Sequence, residues 1–319
     1  MRSGAASDHV GYFHETAVYG SDDELLDIVL PFLRGGLDAG EPVVVTFAEH
    51  NAALAKRALG RQTDQIRFVS GADQYARPAT TIRNYRDMFA EFVAEGAQQI
   101  RVVGDVPHTG TGFDWHDWVR YEAAINRAYD DFPLWGLCPY DTRLAPADVL
   151  DHVARTHPHV ATADGRHHRN PHFEDPAEFW HRLECPPHHD RSPDIALIEP
   201  TMREARQCFA TAARDAGLSV DEQEAVALAV SELVTNAIEH GSPPVLVEGW
   251  VQQGRVEIAV VDGGNGPSAP FTGLVPASGR AGGRGLWIVN QICDSVILDR
   301  SGDRFVARAV VGSDPSASQ

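Results

Sequence analysis

Lysine is nearly absent from this chain: of 27 basic residues in 319, only Lys56 is a lysine. A nucleotide-binding P-loop needs a lysine behind a glycine-rich turn, and no such turn precedes Lys56. A standard P-loop is therefore excluded, and any nucleotide site must work without one. The 45 acidic residues give a net charge of −18, which argues against a surface for nucleic acid because phosphate backbones require clustered basic residues.

Long apolar runs and clustered cysteines are missing as well. No segment approaches the roughly 20 apolar residues that a membrane span requires, and residues 1–8 lack the apolar centre of a signal peptide. Cys138, Cys185, Cys208 and Cys293 lie far apart in sequence and fit reduced thiols better than a disulfide framework. We therefore expect a cytoplasmic protein that contacts neither membrane nor nucleic acid directly.

Three motifs in the last hundred residues contain most of the recognisable chemistry. The first lies in residues 222–240, whose apolar positions recur at helical spacing and which Gly241 ends. Glu232, Asn236 and His240 are four residues apart, so we expect them to project from one face of this helix. That face alone fits a solvated polar stripe as well as it fits a ligand site.

The other two motifs are glycine-rich. Asp262 ends a predicted β-branched strand over residues 256–261 and is followed by three glycines within four residues, which let a backbone turn sharply and approach a ligand. Residues 282–286 contain three glycines and open a predicted helix over residues 286–293, leaving N–H groups that suit an anion. Taken singly, each motif also fits an ordinary glycine turn.

In this order and spacing, the motifs resemble the ATP-binding domain of the GHKL superfamily, the Bergerat fold of DNA gyrase, heat-shock chaperones, histidine kinases and mismatch-repair ATPases. The resemblance covers about residues 198–311 and implies an α+β sandwich that binds ATP with Mg²⁺. It implies that Asn236 is the metal ligand and that Asp262 accepts a hydrogen bond from the adenine amino group. The remaining nucleotide contacts that it implies are His240, Gly264, Gly266, Gly283, Gly285 and Leu286.

Within that superfamily, two features resemble the anti-sigma-factor serine kinases. Residues 200–214, just upstream of the first motif, contain no histidine, whereas histidine kinases carry a phosphoacceptor histidine there. The run from residue 266 to 283 is also shorter than the lid of a histidine kinase. The resemblance implies that Glu232 is the base for a substrate serine, while Arg280 and Arg284 are candidates to stabilise transferred charge. The family often has an arginine where this chain has Ala281.

The serine-kinase resemblance also implies partners: a sigma factor, an anti-anti-sigma (antagonist) protein that is phosphorylated, and a second copy of the chain in a homodimer. Two alternatives stay open. The domain could bind ATP and switch partners without transferring phosphate, or it could be an atypical sensor histidine kinase.

The first half of the chain alternates predicted strands and helices, which indicates a three-layer, mostly parallel sheet. The predicted helices cover residues 22–34 (stopped by the glycines at 35 and 36), 50–59, 81–95, 115–129 and 147–156, and the strands cover 42–47, 66–69, 99–103 and 134–138. This half resembles the MEDS sensory domain, a RecA-like module of bacterial and archaeal regulators. The matching positions are His14, Tyr19 and residues 25–26, 31–34, 40–45, 137–141 and 156–158.

A sensory role implies a pocket for a small-molecule signal, and ligands of such sheets bind beyond the carboxyl ends of the strands. The candidate pocket residues, each of which also fits a packing or capping role, are Glu49, Asp105, Trp115, Tyr121, Glu122, Cys138, Tyr140 and Asp141.

We expect four segments: the sensory domain over residues 8–182, a linker over 183–195, the ATPase domain over 196–312 and a disordered tail over 313–319. Nine histidines fall between His152 and His189, but their spacing matches no metal motif. We therefore interpret this stretch as a surface segment.

Overall fold

The structure is a computed structural model that describes residues 2–111, 114–184, 191–275 and 284–312. The chain divides into two compact units, residues 1–183 and 184–319, each with its own sheet and core. Within the described residues, no helix combines the length and apolar character needed to cross a membrane.

The described strands of the first unit form one seven-stranded sheet with the order β3-β2-β4-β5-β1-β6-β7. All neighbouring pairs are parallel except β6 with β7 at one edge. The strands are β1 (Phe13–Tyr19), β2 (Val43–Phe47), β3 (Arg67–Ser70), β4 (Ile100–Gly104), β5 (Leu134–Asp141), β6 (His159–Ala161) and β7 (His167–Arg169). The helices are α1 (Asp22–Asp38), α2 (Glu49–Leu59), α3 (Gly71–Gln74), α4 (Pro78–Ala94), α5 (Trp115–Ala128), α6 (Ala147–Thr156) and α7 (Pro176–Arg182).

Helices cover both faces of this sheet. On one face, Val43 and Val45 of β2 share a core with Leu25 and Phe32 of α1 and with residues of α2. On the other face, Tyr85 of α4 donates a hydrogen bond of 2.8 Å to Thr46 Oγ1 of β2. Because successive strand residues point to opposite faces, this alternation separates two helical layers. The predicted three-layer, mostly parallel architecture is confirmed.

Helix α1 does not end where the sequence suggested. It continues through Gly35 and Gly36 to Asp38, and the chain leaves it at Gly40, which has a φ of +67°. A Cβ on Gly36 would lie 2.7 Å from Val43 Cγ2 and 2.9 Å from Arg101 Cδ. Gly36 therefore serves close packing of the helix against the sheet, and the prediction of a stop at the glycine pair was wrong.

The described strands of the second unit form a five-stranded antiparallel sheet with the order β11-β12-β10-β9-β8. The strands are β8 (Ile195–Ile198), β9 (Leu246–Gln252), β10 (Arg255–Asp262), β11 (Ser295–Ser301) and β12 (Arg304–Val311), and the helices are α8 (Met202–Asp215), α9 (Val220–His240) and α10 (Gly285–Ile292). Phe209 of α8, Leu233 of α9 and Val289 of α10 pack with Ile258 of β10 in one core. Helices on an antiparallel sheet confirm the predicted α+β class.

Candidate functional site

Helix α9, which carries the polar face, begins with a capping box. Ser219 accepts a hydrogen bond from the Glu222 amide, and the Glu222 carboxylate accepts one from the Ser219 amide, which forms a capping box. Glu232 and Asn236 lie half-buried along the helix, whereas His240 is exposed at its last residue. The three side chains therefore share a face, but His240 stands at its solvent end.

Asp262 is fixed at the end of β10 by backbone amides. Its Oδ1 accepts hydrogen bonds from Gly264 N at 2.6 Å and from Ser242 N at 3.2 Å, and the residue is only 4% exposed. Its Oδ2 has no hydrogen-bond partner among the residues that the structure describes, so it remains an acceptor for a ligand. Ser242, which the sequence motifs did not single out, holds this carboxylate because Gly241 ends α9 beside it.

The glycines around Asp262 permit this close approach. A Cβ on Gly264 would lie 2.6 Å from Asp262 Oδ1 and 2.9 Å from Gly241 Cα, so any side chain there would push the two loops apart. Gly266 has a φ of +68°, and a Cβ on it would meet the Phe305 ring at 2.4 Å. The structure thus gives Gly266 a turn and packing role, in addition to the nucleotide contact expected of it.

The third motif meets the first where α10 begins. A Cβ on Gly285 would lie 2.3 Å from Glu232 Oε2 and 3.6 Å from Asn236 Nδ2, so the backbone at the start of α10 runs directly against both side chains. Arg284 is exposed at the N-cap position of α10, and Leu286 packs against the core. Gly283, Ala281 and Arg280 lie outside the described residues.

These residues fit a magnesium–triphosphate ligand. The amide nitrogen of Asn236 is buried and has no hydrogen-bond partner in the described chain. Rotation of the side-chain amide exchanges its nitrogen and oxygen, so a buried Asn amide without a partner can turn its oxygen toward a cation. The first backbone amides of α10, which begins beside Asn236, suit phosphate oxygens.

In the first unit, part of the predicted sensing pocket is a real cavity. A space of about 1180 Å³ lies at the carboxyl ends of the strands, and Glu49, Asp105 and Asp141 line it. Asp105 accepts hydrogen bonds from Ala48 N and from the Asn51 amide, while burial raises the pKa of Asp105 to about 7. Asp141 pairs with Arg143 at the mouth at 2.7 Å.

The other predicted pocket residues lie in the interior. Trp115 donates to His152, and Tyr121 packs in an aromatic cluster. Glu122 and Cys138 are buried beside two histidines, and Tyr140 donates to Glu122. Their grouping in one pocket was therefore wrong, because Glu122 of α5 and Cys138 of β5 are buried beside His14 and do not line the cavity.

The histidine-rich stretch contains both exposed and buried histidines. His167, His168, His172 and His181 are exposed, as a surface segment requires. His157, however, is fully buried, so the surface interpretation was wrong for this residue. It directly follows α6, and its imidazole ring lies against the ring of His14 on β1. His188, His189 and Cys185 lie outside the described residues.

Comparisons with known proteins find a matching family for each half of the chain. Residues 13–158 match the model of MEDS, the methanogen/methylotroph DcmR sensory domain, and residues 196–310 match the histidine kinase-like ATPase domain. A curated relative, the transcriptional repressor DcmR of Methylorubrum extorquens, is 25% identical over 162 residues, which are 48% of this chain and 61% of the relative. The chain thus spans about three-fifths of the length of that relative.

Among solved structures, the catalytic domain of the histidine kinase ThkA is 14% identical, with a TM-score of 0.27 over 36% of this chain and 92% of that one. The RsbU and RsbW domains of a Mycobacterium tuberculosis protein are 19% identical, with a TM-score of 0.26 over 38% of this chain and 33% of theirs. On these two matches, the chain joins a MEDS sensory domain over residues 13–158 to a histidine kinase-like ATPase domain over residues 196–310.

Proposed function

We propose that the second unit is an ATP-dependent protein serine kinase that acts on a partner protein under the control of the MEDS domain. The observation that carries this proposal is the meeting of Glu232, Asn236 and the start of α10 at Gly285. A carboxylate and an amide there lie against the N-terminus of a helix, and phosphoryl transfer uses such groups to position the nucleophile, the metal ion and the phosphates.

For nucleotide binding, we assign the adenine to Asp262 and the phosphates to the start of α10. Asp262 Oδ2 is the acceptor for the adenine amino group, since both backbone amides bind Oδ1. Asn236 is the Mg²⁺ ligand, and the phosphates bind the backbone amides at the start of α10, where a side chain in place of Gly285 would collide with Glu232. Bound ATP supplies the γ-phosphoryl group, and Mg²⁺ neutralises part of its charge.

For transfer, Glu232 is the residue best placed to receive a proton. It lies one helical turn before Asn236, with its carboxylate against the Gly285 backbone. In this proposal it orients the serine hydroxyl of the partner and accepts its proton. Arg284 is exposed at the same helix start, where its guanidinium can approach the transferred group.

Serine rather than histidine is favoured as the acceptor by what precedes α9. Helix α8 contains no histidine, and it packs against α9 and the sheet as part of the ATPase core. A phosphoacceptor helix would need a histidine free to reach the γ-phosphate. In the described part of the chain just upstream of α9, β8 and α8 provide no such residue.

The proposed partners follow from the regulatory context. The curated relative of the MEDS domain is named a transcriptional repressor. We propose that this chain also regulates transcription, by binding a sigma factor as an anti-sigma factor and phosphorylating its antagonist, and that it acts as a homodimer. A signal bound by the MEDS domain would set the balance between the two partners.

The test uses the full chain with γ-labelled ATP and a candidate antagonist protein. Glu232→Gln should keep nucleotide affinity and lower transfer at least about 100-fold, the usual range for general-base loss. Asn236→Ala should lower both transfer and affinity in the presence of Mg²⁺. Glu239→Gln, an exposed carboxylate on the same helix, is the matched control and should behave as wild type.

Two results would contradict the serine-kinase proposal. An antagonist that stays unlabelled while ATP binds normally would leave the non-catalytic, partner-switching alternative. Acid-labile label on the chain itself would instead support a histidine kinase.

A further inference from the structure

A second polar centre lies inside the MEDS domain, away from the strand-end cavity. It combines His14 of β1, Glu122 of α5, Cys138 of β5 and His157, which directly follows α6. His14, Glu122 and His157 are completely buried, and Cys138 is 8% exposed. One donor atom from each side chain lies within 4.8 Å of the other three. Four chain segments that are distant in sequence thus bring their polar atoms to one point.

Two of these atoms have no hydrogen bond. Glu122 Oε2 and His157 Nε2 are buried without a hydrogen-bond partner in the described chain. Glu122 Oε2 lies 3.4 Å from the Nε2 atoms of both His14 and His157, beyond the 2.7–2.9 Å or so of a charged hydrogen bond. Buried polar atoms without a partner are destabilising, so the arrangement calls for a ligand between them.

The outer atoms of the same side chains are all anchored. His157 Nδ1 donates to the Val153 carbonyl at 2.9 Å, which leaves the Nε2 lone pair directed inward. His14 Nδ1 donates to Asn126 Oδ1 at 3.0 Å, and the Asn126 amide nitrogen itself donates to three backbone carbonyls. Tyr140 donates to Glu122 Oε1 at 2.7 Å. Such outer partners are what orient the ligands of metal sites.

Three of the six separations between the inner atoms match a tetrahedral metal, and all six are within 4.8 Å. With zinc–nitrogen and zinc–oxygen distances of about 2.05 Å and zinc–sulfur of about 2.3 Å, tetrahedral ligands lie about 3.3 Å (N to O) and about 3.6 Å (S to N) apart. The corresponding separations are 3.4 Å from Glu122 Oε2 to each imidazole and 3.7 Å from Cys138 Sγ to His14 Nε2. We propose that these four residues bind one divalent transition metal ion, Zn²⁺ by preference.

Charge balance supports this assignment. When the ion binds, the Cys138 thiol releases its proton to solvent, and the thiolate and the Glu122 carboxylate together carry two negative charges. Two neutral imidazoles complete the set, so the occupied site is electrically neutral. A neutral site suits a buried position, where an unpaired charge is costly. One thiolate with two imidazoles also favours zinc over the hard cations Mg²⁺ and Ca²⁺.

The experiment measures metal on the full chain, purified without a histidine tag under reducing conditions. After addition of zinc sulfate and gel filtration, mass spectrometry should find about one zinc per chain, as for a closed four-ligand site. Cobalt chloride added to the zinc-free protein should produce a thiolate-to-cobalt charge-transfer band. Cys138→Ser should abolish that band, and His157→Gln should weaken zinc affinity at least about tenfold.

Matched controls separate this site from other thiols and imidazoles. Cys208→Ser, in the second unit, and His181→Gln, exposed on α7, should bind zinc as wild type does. Circular dichroism identifies variants that fail to fold, and Glu122→Gln, whose amide oxygen can still accept from Tyr140, provides a third variant. A folded wild type that takes up no zinc, or zinc binding unchanged in folded Cys138→Ser and His157→Gln, would overturn the proposal.

Discussion

The substitution Asp262→Asn should shift the preference of the nucleotide site from adenine toward hypoxanthine. Oδ1 accepts from Gly264 N and Ser242 N, and the oxygen of an asparagine can keep both bonds. The other atom changes from an acceptor to an amino group. Adenine presents its own amino group there, so two donors would face each other, whereas hypoxanthine presents a carbonyl oxygen that the new amide can bond.

The magnitude follows from the bonds exchanged. Losing a hydrogen bond to a charged acceptor costs about 1.5–3 kcal/mol, and gaining a neutral one contributes about 0.5–1.5 kcal/mol. At about 1.4 kcal/mol per factor of ten, ATP affinity should fall roughly 10- to 150-fold. Inosine triphosphate affinity should rise about 2- to 10-fold, so the ratio of the two affinities shifts by roughly 20- to 1500-fold.

Isothermal titration calorimetry with Mg²⁺ and each nucleotide measures both affinities on the wild type, on Asp262→Asn and on a control. Asp303→Asn, exposed in the turn between β11 and β12, removes the same charge from the same domain and should leave the ratio unchanged. An equal loss of affinity for both nucleotides, with the fold intact, would show that Asp262 does not contact the base and would refute the assignment.

Three further changes test the packing and the charges. Gly36→Ala should lower the free energy of unfolding by about 1–3 kcal/mol because its Cβ meets Val43 and Arg101; Gly35→Ala, whose Cβ would come no closer than 3.1 Å to the hydrogen-bonded Arg101 guanidinium, should cost less than Gly36→Ala in urea titrations. Gly285→Ala should displace the Glu232 carboxylate. The rate of phosphotransfer should therefore fall strongly, while the melting temperature changes little. The pKa of Asp105 is about 7 in the folded chain and 3.8 in the unfolded chain. Between pH 3.8 and pH 7 the folded chain therefore binds a proton that the unfolded chain has released. Its contribution to stability is present at low pH and falls by up to about 1.4 kcal/mol per pH unit as the pH rises toward 7, and the difference from Asp105→Asn in urea titrations should stop changing above about pH 8.

The parts of the fold that the sequence predicted are those governed by local rules. Helix α9 was found from its apolar spacing and from Gly241, and its observed start at Ser219 follows from a capping box that residues 219 and 222 spell out. Glu232 and Asn236 share a face because residues four apart on a helix must do so. Their contact with Gly285 could not be predicted in this way, because it depends on how α10 packs against α9.

One of the strands that the sequence did not predict shows where local rules fail. Strand β1, which pairs with β5 on one side and β6 on the other, was not predicted, since it contains His14, Glu15 and Thr16 in place of an apolar run. These residues are nevertheless buried, and each has partners: Glu15 accepts from Trp135, and Thr16 donates to the Cys138 carbonyl. Burial of polar residues depends on partners far away in sequence, which periodicity cannot reveal.

The same principle explains why histidine spacing was a poor guide to metal chemistry. Of the nine histidines from His152 to His189, only His157 belongs to the buried cluster. The other members lie on β1, α5 and β5, and the sheet brings them together because β1 pairs in parallel with β5, with Thr16 opposite Cys138. A ligand set assembled from one residue per element has no spacing that a sequence pattern can match. In a parallel α/β unit, an unexpected buried polar residue on a central strand is therefore a better pointer to such a site than a dense run of histidines.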